Sequence, residues 1–288
     1  MSVDEQAVVV NASAGRRPIV LVSGVARPPG IGYATALRLA DIGADLMCAD
    51  LVGSGDTGYA TEEAFDDVVA EVAERASANG GRVVAHRLET LEKQDISTLI
   101  AHTLDAFGGL DSCCILNGAT GAAAGDGLLI DLAEDSWRRC LDVNLTGSWL
   151  LAQAAAKAMI SGGRPGSLVL LSSHAAIAPT IGAGAVGAAR AAVDQMVAVL
   201  AAELGPHHIR CNAVAPLAVE PSARFPNPGL TSLAVNEGVS FATWIAGRIP
   251  LGRAQTAAET AAVITFLCSD AASYVSGVTI PVNGGATS

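Results

Sequence analysis

Ile19-Val20-Leu21-Val22-Ser23-Gly24-Val25-Ala26-Arg27-Pro28-Pro29-Gly30-Ile31-Gly32, running on from Tyr33 to Gly43, is the stretch on which the reading of this chain turns. Its first four residues are apolar and read as a buried strand. Gly24, Gly30 and Gly32 then span a turn. Ala34, Leu37, Leu39 and Ala40 follow at roughly helical spacing, so a helix begins just after Gly30. A glycine turn between strand and helix leaves backbone N–H groups converging on one spot. The helix N-terminus adds partial positive charge there, which suits a pyrophosphate. Glycine allows the close approach that a side chain would block. An ordinary βα turn carries glycines too, so the next strand has to decide.

That strand, Ala44 to Asp50, ends in an acid about twenty residues beyond the glycines. In a dinucleotide-binding unit such a carboxylate accepts hydrogen bonds from the adenosine ribose hydroxyls. It would repel a 2′-phosphate by roughly 1–4 kcal/mol for unit charges near 4 Å, which favours NAD(H) over NADP(H). Arg27, inside the loop, pulls mildly the other way.

The 288 residues, 51% of them hydrophobic, are ample for one large core and fit a single domain. A net charge of −11 disfavours nucleic acid or an anionic membrane surface as partner. No apolar run is read as reaching the roughly 18 residues of a membrane span. Residues 1–17 read as a flexible lead-in without the features of a signal peptide. The six cysteines (Cys48, Cys113, Cys114, Cys140, Cys211 and Cys268) lack metal or disulfide spacing. They are expected to be buried free thiols in a reducing cytoplasm, and no metal site is expected.

Further along, apolar strands and amphipathic helices alternate. A glycine-rich loop follows Asp50. Helices are expected at Glu62–Ala78, Lys93–Phe107, Ala133–Ile160, Gly182–Leu204 and Ala257–Leu267, and strands at Arg82–His86, Leu110–Leu116, Ser167–Ser172, Ile209–Val214 and Val278–Val282. Leu217 to Pro250 is long, proline-bearing and irregular, a candidate substrate lid. Strict alternation implies a doubly wound α/β fold of Rossmann type, a parallel sheet with helices on both faces and ligands beyond the carboxyl ends of its strands.

Asn117-Gly118-Ala119, Asp142-Val143-Asn144-Leu145, Leu204 to Pro216 and Pro250 to Gly285, added to the glycine turn, resemble the short-chain dehydrogenases/reductases over about Ile19 to Gly285. The loop after Asp50 is similar to that of an actinobacterial carveol-dehydrogenase-like branch. The resemblance implies an NAD(H) site at Gly24, Gly30, Ile31, Gly32, Asp50, Leu51, Glu89, Thr90, Asn117, Gly118, Ala119, Arg190, Pro216 and Val219. It also implies a homotetramer or homodimer built on the two long helices at Ala133–Ile160 and Gly182–Leu204.

The chain departs from the family pattern at informative places. The glycine turn is widened around Pro28-Pro29, so a bulge of two residues is expected. Glu89 stands where the family has aspartate, Asn117-Gly118-Ala119-Thr120 replaces Asn-Asn-Ala-Gly, and Leu217 replaces a glycine. The family's catalytic group is Asn, Ser, Tyr and Lys. Asn144 and Ser173 match the first two, but Val186 stands at the tyrosine position and Arg190 at the lysine position. Valine has no proton to give. Arginine keeps the charge and could bind ribose hydroxyls, but as a fixed fork rather than a point charge. His174, beside Ser173, is the nearest residue that titrates near neutral pH, though a surface or loop place explains it as well; Tyr59 and Tyr274 could enter from loops, though packing explains both as well.

Three readings follow. The chain is an NAD(H)-linked oxidoreductase for an apolar small-molecule alcohol or ketone, its proton moved by another group or by water. Or the fold is reused for a non-redox reaction: cyclisation, isomerisation or dehydration. Or it is a catalytically silent binding subunit. Phe225, Leu230, Leu233, Phe241, Trp244 and Ile245 in the lid suggest an apolar substrate.

Overall fold

The computed structural model describes residues 16–53, 60–119, 125–220, 234–235 and 238–286. Strand β1 (Ile19–Ser23) leads through the glycine turn into helix α1 (Ile31–Asp41) and back into β2 (Asp45–Asp50). Then come α2 (Glu62–Ala78), β3 (Val83–Arg87), α3 (Lys93–Phe107) and β4 (Ser112–Ile115). Helix α4 (Glu134–Leu141) passes through a π turn (Asp142–Thr146) into α5 (Gly147–Ser161) and β5 (Gly166–Leu171). The chain closes with α6 (His174–Ile177), α7 (Gly184–Leu204), β6 (Ile209–Pro216), α8 (Phe241–Ala246), α9 (Ala257–Cys268) and β7 (Thr279–Val282).

All seven strands are parallel, in the order β3-β2-β1-β4-β5-β6-β7. The order reverses direction between β1 and β4, where such sheets open a crevice. Side chains alternate between two cores, as a strand's period of two requires. Leu21, Met47, Cys113, Leu168 and Cys211 face the layer of α3, α5 and α7. Val20, Val22, Leu46, Cys48, Cys114 and Val169 face the layer of α1, α2 and α9. At ~25 cal/mol per Å² of apolar surface, each fully buried Leu or Val contributes about 1.5–3 kcal/mol, which is why one face cannot be left to solvent. All six cysteines are free and buried.

Some expectations are corrected or refined. The predicted helix Ala133–Ile160 is helical along its length but passes through a π turn at Asp142–Thr146. Asn144 Nδ2 donates to the Cys140 carbonyl at 3.0 Å, while Arg190 and Ser148 both donate to the Asn144 carbonyl, at 3.3 Å each. Side chains competing for ladder carbonyls widen that turn to π geometry. A span-length apolar helix does exist, Gly184–His207. It packs one face into the core through Ala185, Val186, Ala189, Val193 and Val197 and carries the buried Arg190, so its apolarity serves the fold. The lid region is partly ordered: α8 places Trp244 and Ile245 in a small core with Ala218, Ala234 and Ile249. At the other end, Arg16 pairs with Asp111 at 2.6 Å, so the lead-in is tied down where it meets the sheet. The rest of the lead-in, Tyr59, Thr120, Phe225, Leu230 and Leu233 lie outside the described residues.

Candidate active site

One cavity opens above the carboxyl ends of the strands, across the β1/β4 switch point. Its first end is the glycine turn. Gly24 has φ +83, and a Cβ there would sit 2.7 Å from the Leu116 carbonyl; a Cβ on Gly32 would fall 2.0 Å from the Gly24 oxygen. No other residue fits either place. The widened loop is absorbed as a turn closed by Gly30 N–H on the Arg27 carbonyl. Helix α1 starts at Gly30 without a side-chain cap, so its leading amides remain available to an anion. Asp50 closes this end. Its carboxylate accepts Ala26 N–H at 2.6 Å and Leu51 N–H at 2.8 Å, which holds the loop against β2. Burial pushes its pKa up, and the two amides and Arg27 oppose that shift.

At the second end the catalytic positions converge, but their polar groups face one another. Arg190, 3% exposed, donates through Nη1 to the carbonyls of Leu171 (2.6 Å) and Asn144 (3.3 Å), and through Nη2 to the Asn117 carbonyl (3.1 Å) and Asn144 Oδ1 (2.8 Å). Both Nη groups are thus occupied by carbonyl oxygens. Burial lowers its pKa to about 10, so it remains cationic at neutral pH. Asn144 is equally committed, its amide bonding both backbone groups of Ala119 and the Cys140 carbonyl. Gly118 has a steric cause: a Cβ there would lie 2.4 Å from Arg190 Nη2 and 3.2 Å from Asn144 Oδ1. The guanidinium fills the space that a side chain at position 118 would need. Val186 packs with Cys140, Ala185 and Ala189 while lining the cavity.

Residues 24–287 match a family model described as enoyl-(acyl carrier protein) reductase, of the short-chain alcohol dehydrogenase group. The chain belongs to the short-chain dehydrogenase/reductase family. A 2,5-dichloro-2,5-cyclohexadiene-1,4-diol dehydrogenase of Sphingobium indicum is 34% identical over 261 residues, 90% of this chain and 93% of that one. An NAD-dependent oxidoreductase of Mycobacterium tuberculosis is 32% identical over 272 residues, 93% and 95% of the two chains. The crystal structure of carveol dehydrogenase from Mycobacterium avium in complex with NAD superposes with a TM-score of 0.81 at 28% identity, covering 93% of this chain and 96% of that one.

Of the positions at which the short-chain dehydrogenase/reductase pattern places function, Gly24, Gly30, Ile31, Gly32, Asp50, Leu51, Thr90, Asn117, Gly118, Ala119, Asn144, Ser173, Val186, Arg190, Pro216 and Val219 all line this cavity. Glu89 does not; its carboxylate accepts Leu91 N–H at 3.3 Å, and Leu88 and Thr90 form the wall on either side. His174 does not either. It is 7% exposed, its Nδ1 lies 3.4 Å from Asn283 Nδ2, and burial lowers its pKa. Tyr274 is fully exposed and lines a different cleft, at the amino end of β6. Sequence reasoning missed Ser172. It lines the cavity, is 2% exposed, and its Oγ has no hydrogen-bond partner among the described residues. Its place one residue before Ser173, at the end of a strand read to Ser172, was the available signal.

Proposed function

We propose that this short-chain dehydrogenase/reductase binds NAD(H) and acts as an oxidoreductase on an apolar small molecule bearing an alcohol or carbonyl. The observation that carries this is the continuity of one cavity from the glycine turn and Asp50 to Ser173 and Val186. The amides at Ile31 and Gly32 would hold the pyrophosphate and Asp50 the adenosine ribose, between walls formed by Leu88 and Thr90. Asn117 to Ala119, Pro216 and Val219 would flank the nicotinamide half. When bound, NAD(H) supplies or accepts a hydride. The chain's own contribution is to orient, through Ser173, and to exclude water, through Val186 and Leu217. Val186 cannot hold a proton, so the proton at the substrate oxygen is moved by another residue or by a water admitted to the site.

Val186 and the committed state of Arg190, taken alone, favour a second reading, a non-redox enzyme or silent nucleotide-binding subunit on the same fold. Calorimetry with NAD(H) and NADP(H) tests the first: NAD(H) is expected to bind more tightly, and failure of both to bind would remove it. A homodimer or homotetramer built on α4, α5 and α7 is proposed from the family's habit. A light-scattering mass near the 28.9 kDa monomer at micromolar concentration would refute it. The six buried thiols fit a reducing, cytoplasmic setting.

A further inference from the structure

The wall beside Asp50 is set by groups that lie outside the cavity. Leu88 and Thr90 line the cavity and are buried. Leu88 N–H donates to the Asp50 carbonyl at 2.8 Å, which ties one edge of the wall to β2. Thr90 lies against α5, where a Cβ on Gly147 would sit 3.0 Å from its Oγ1. Between these two residues the chain leaves the sheet, and the Glu89 amide needs a partner elsewhere. It finds one on α3. Glu89 N–H donates to Asp95 Oδ2 at 2.6 Å, and His86 Nε2 lies 3.1 Å from Asp95 Oδ1. An ionised carboxylate only accepts, so the His86 proton sits on Nε2. The His86 ring meets His102 edge-on, with centroids 5.9 Å apart. Asp95 is the third residue of α3, from which an acid can turn back to the amide of its own helix cap. That amide, of Glu92, is already taken by the Glu89 carbonyl at 3.0 Å. Asp95 reaches past it instead, and one carboxylate joins the end of β3, the turn after it and the start of α3.

We infer that His86 and Asp95 are positioning residues for the adenosine half of the dinucleotide. Neither lines the cavity, so both act through the Glu89 amide and the angle it gives to Leu88 and Thr90. With the carboxylate gone, that amide loses its partner and the turn between the two wall residues is free to rotate. His86, whose side chain is 12% exposed, holds the carboxylate at the angle the amide needs. This rests on the reading above that the cavity takes NAD(H). It adds that the affinity for the adenosine end is set in part by a pair behind the wall.

The test uses the full chain, with NAD and ADP as calorimetric probes and deuterium exchange over residues 88–92 as a readout that needs no ligand. Asp95→Ala should speed exchange at the Glu89 amide and weaken NAD and ADP by the same factor, about tenfold, the value of roughly one hydrogen bond. His86→Ala leaves the Glu89 bond in place and should weaken both by about threefold. Asp95→Asn can still accept Glu89 N–H through its amide oxygen and can donate to the other His86 tautomer. It should recover most of the affinity. Native affinity for both probes in Asp95→Ala overturns the inference. So does a loss confined to NAD, which would place the effect at the nicotinamide half, and so does an Asp95→Asn variant as weak as Asp95→Ala. The two levels separate cleanly. If the native protein binds neither probe, the cofactor reading falls and takes the inference with it; if the native protein binds and the variants bind equally, the inference alone falls.

Discussion

At the Gly24–Gly32 end of the cavity, helix α1 opens without a side-chain cap and Asp50 borders the same space. At the Val186 end, some strands away on the same sheet, both Nη groups of Arg190 and the amide of Asn144 are spent on protein carbonyls. The first end keeps donors for a ligand. The second has turned them inward, into a brace joining the residues that follow β4, the end of β5 and the π turn. A nucleotide site can therefore persist on this fold while the acid–base group beside it becomes structure. Binding rests on backbone amides that the turn supplies whatever the side chains are, whereas proton transfer rests on one side chain at one place.

The largest expected effect is a gain. Val186→Tyr with Arg190→Lys should restore a proton relay and raise NAD-linked turnover of simple alcohols by about 10²–10⁴-fold, the usual contribution of general acid–base catalysis. Val186→Tyr alone should gain less, since the phenol keeps its ordinary pKa of about 10 without a placed ammonium. Steady-state rates on an alcohol panel decide this. Rapid turnover by the native protein would show that the second end is not spent after all.

Next is the brace itself. Arg190→Met removes the donors but keeps much of the volume, taking from the carbonyls of Asn117 and Leu171 their Arg190 partner, while the Asn144 carbonyl keeps Ser148. A loss of about 2–4 kcal/mol in urea unfolding is expected, since each buried unpaired acceptor costs about 1–3 kcal/mol. Gly118→Ala should also destabilise the native protein, and less so in an Arg190→Lys background; a coupling of about 1 kcal/mol between the two sites is expected of groups in contact.

The alternating fold and all seven strands were legible because hydrophobic period survives in any one segment; the one large core expected is two, one on each face of the sheet. The brace was not legible. Arg190 and Gly118 each read as an isolated departure from a family pattern, and only the 2.4 Å approach that a Cβ would make joins them. The π turn was hidden for the same reason, since the groups that open it include Arg190, on a distant helix. Glu89 shows the reverse error: an acid stood near the expected place, but its carboxylate serves the backbone of Leu91. Ser172 could not be separated from strand residues until its hydroxyl was seen without a partner.

A smaller effect sharpens the first end. Asp50→Asn should weaken NAD binding about tenfold, roughly 1.4 kcal/mol, and narrow the gap to NADP. The sign with pH follows from burial. Because the Asp50 pKa is raised, the carboxylate protonates at a higher pH than an ordinary aspartate. NAD affinity should decline on acidification, from a higher pH than an ordinary aspartate would give, and the Asp50→Asn variant should lose that decline. Calorimetry across pH reads both.

The smallest difference is the most direct test of the contrast between the two ends. NAD and ADP-ribose share the adenosine, pyrophosphate and second ribose and differ at the nicotinamide ring. If neither Nη group of Arg190 nor the Asn144 amide is left to anchor the nicotinamide ribose, the two should bind the native protein with affinities within a few-fold of each other by calorimetry. In the Val186→Tyr, Arg190→Lys variant NAD should pull ahead. A native preference for NAD of tenfold or more, about 1.4 kcal/mol, would mean that the nicotinamide half is held after all, and that Arg190 is a ligand-facing residue.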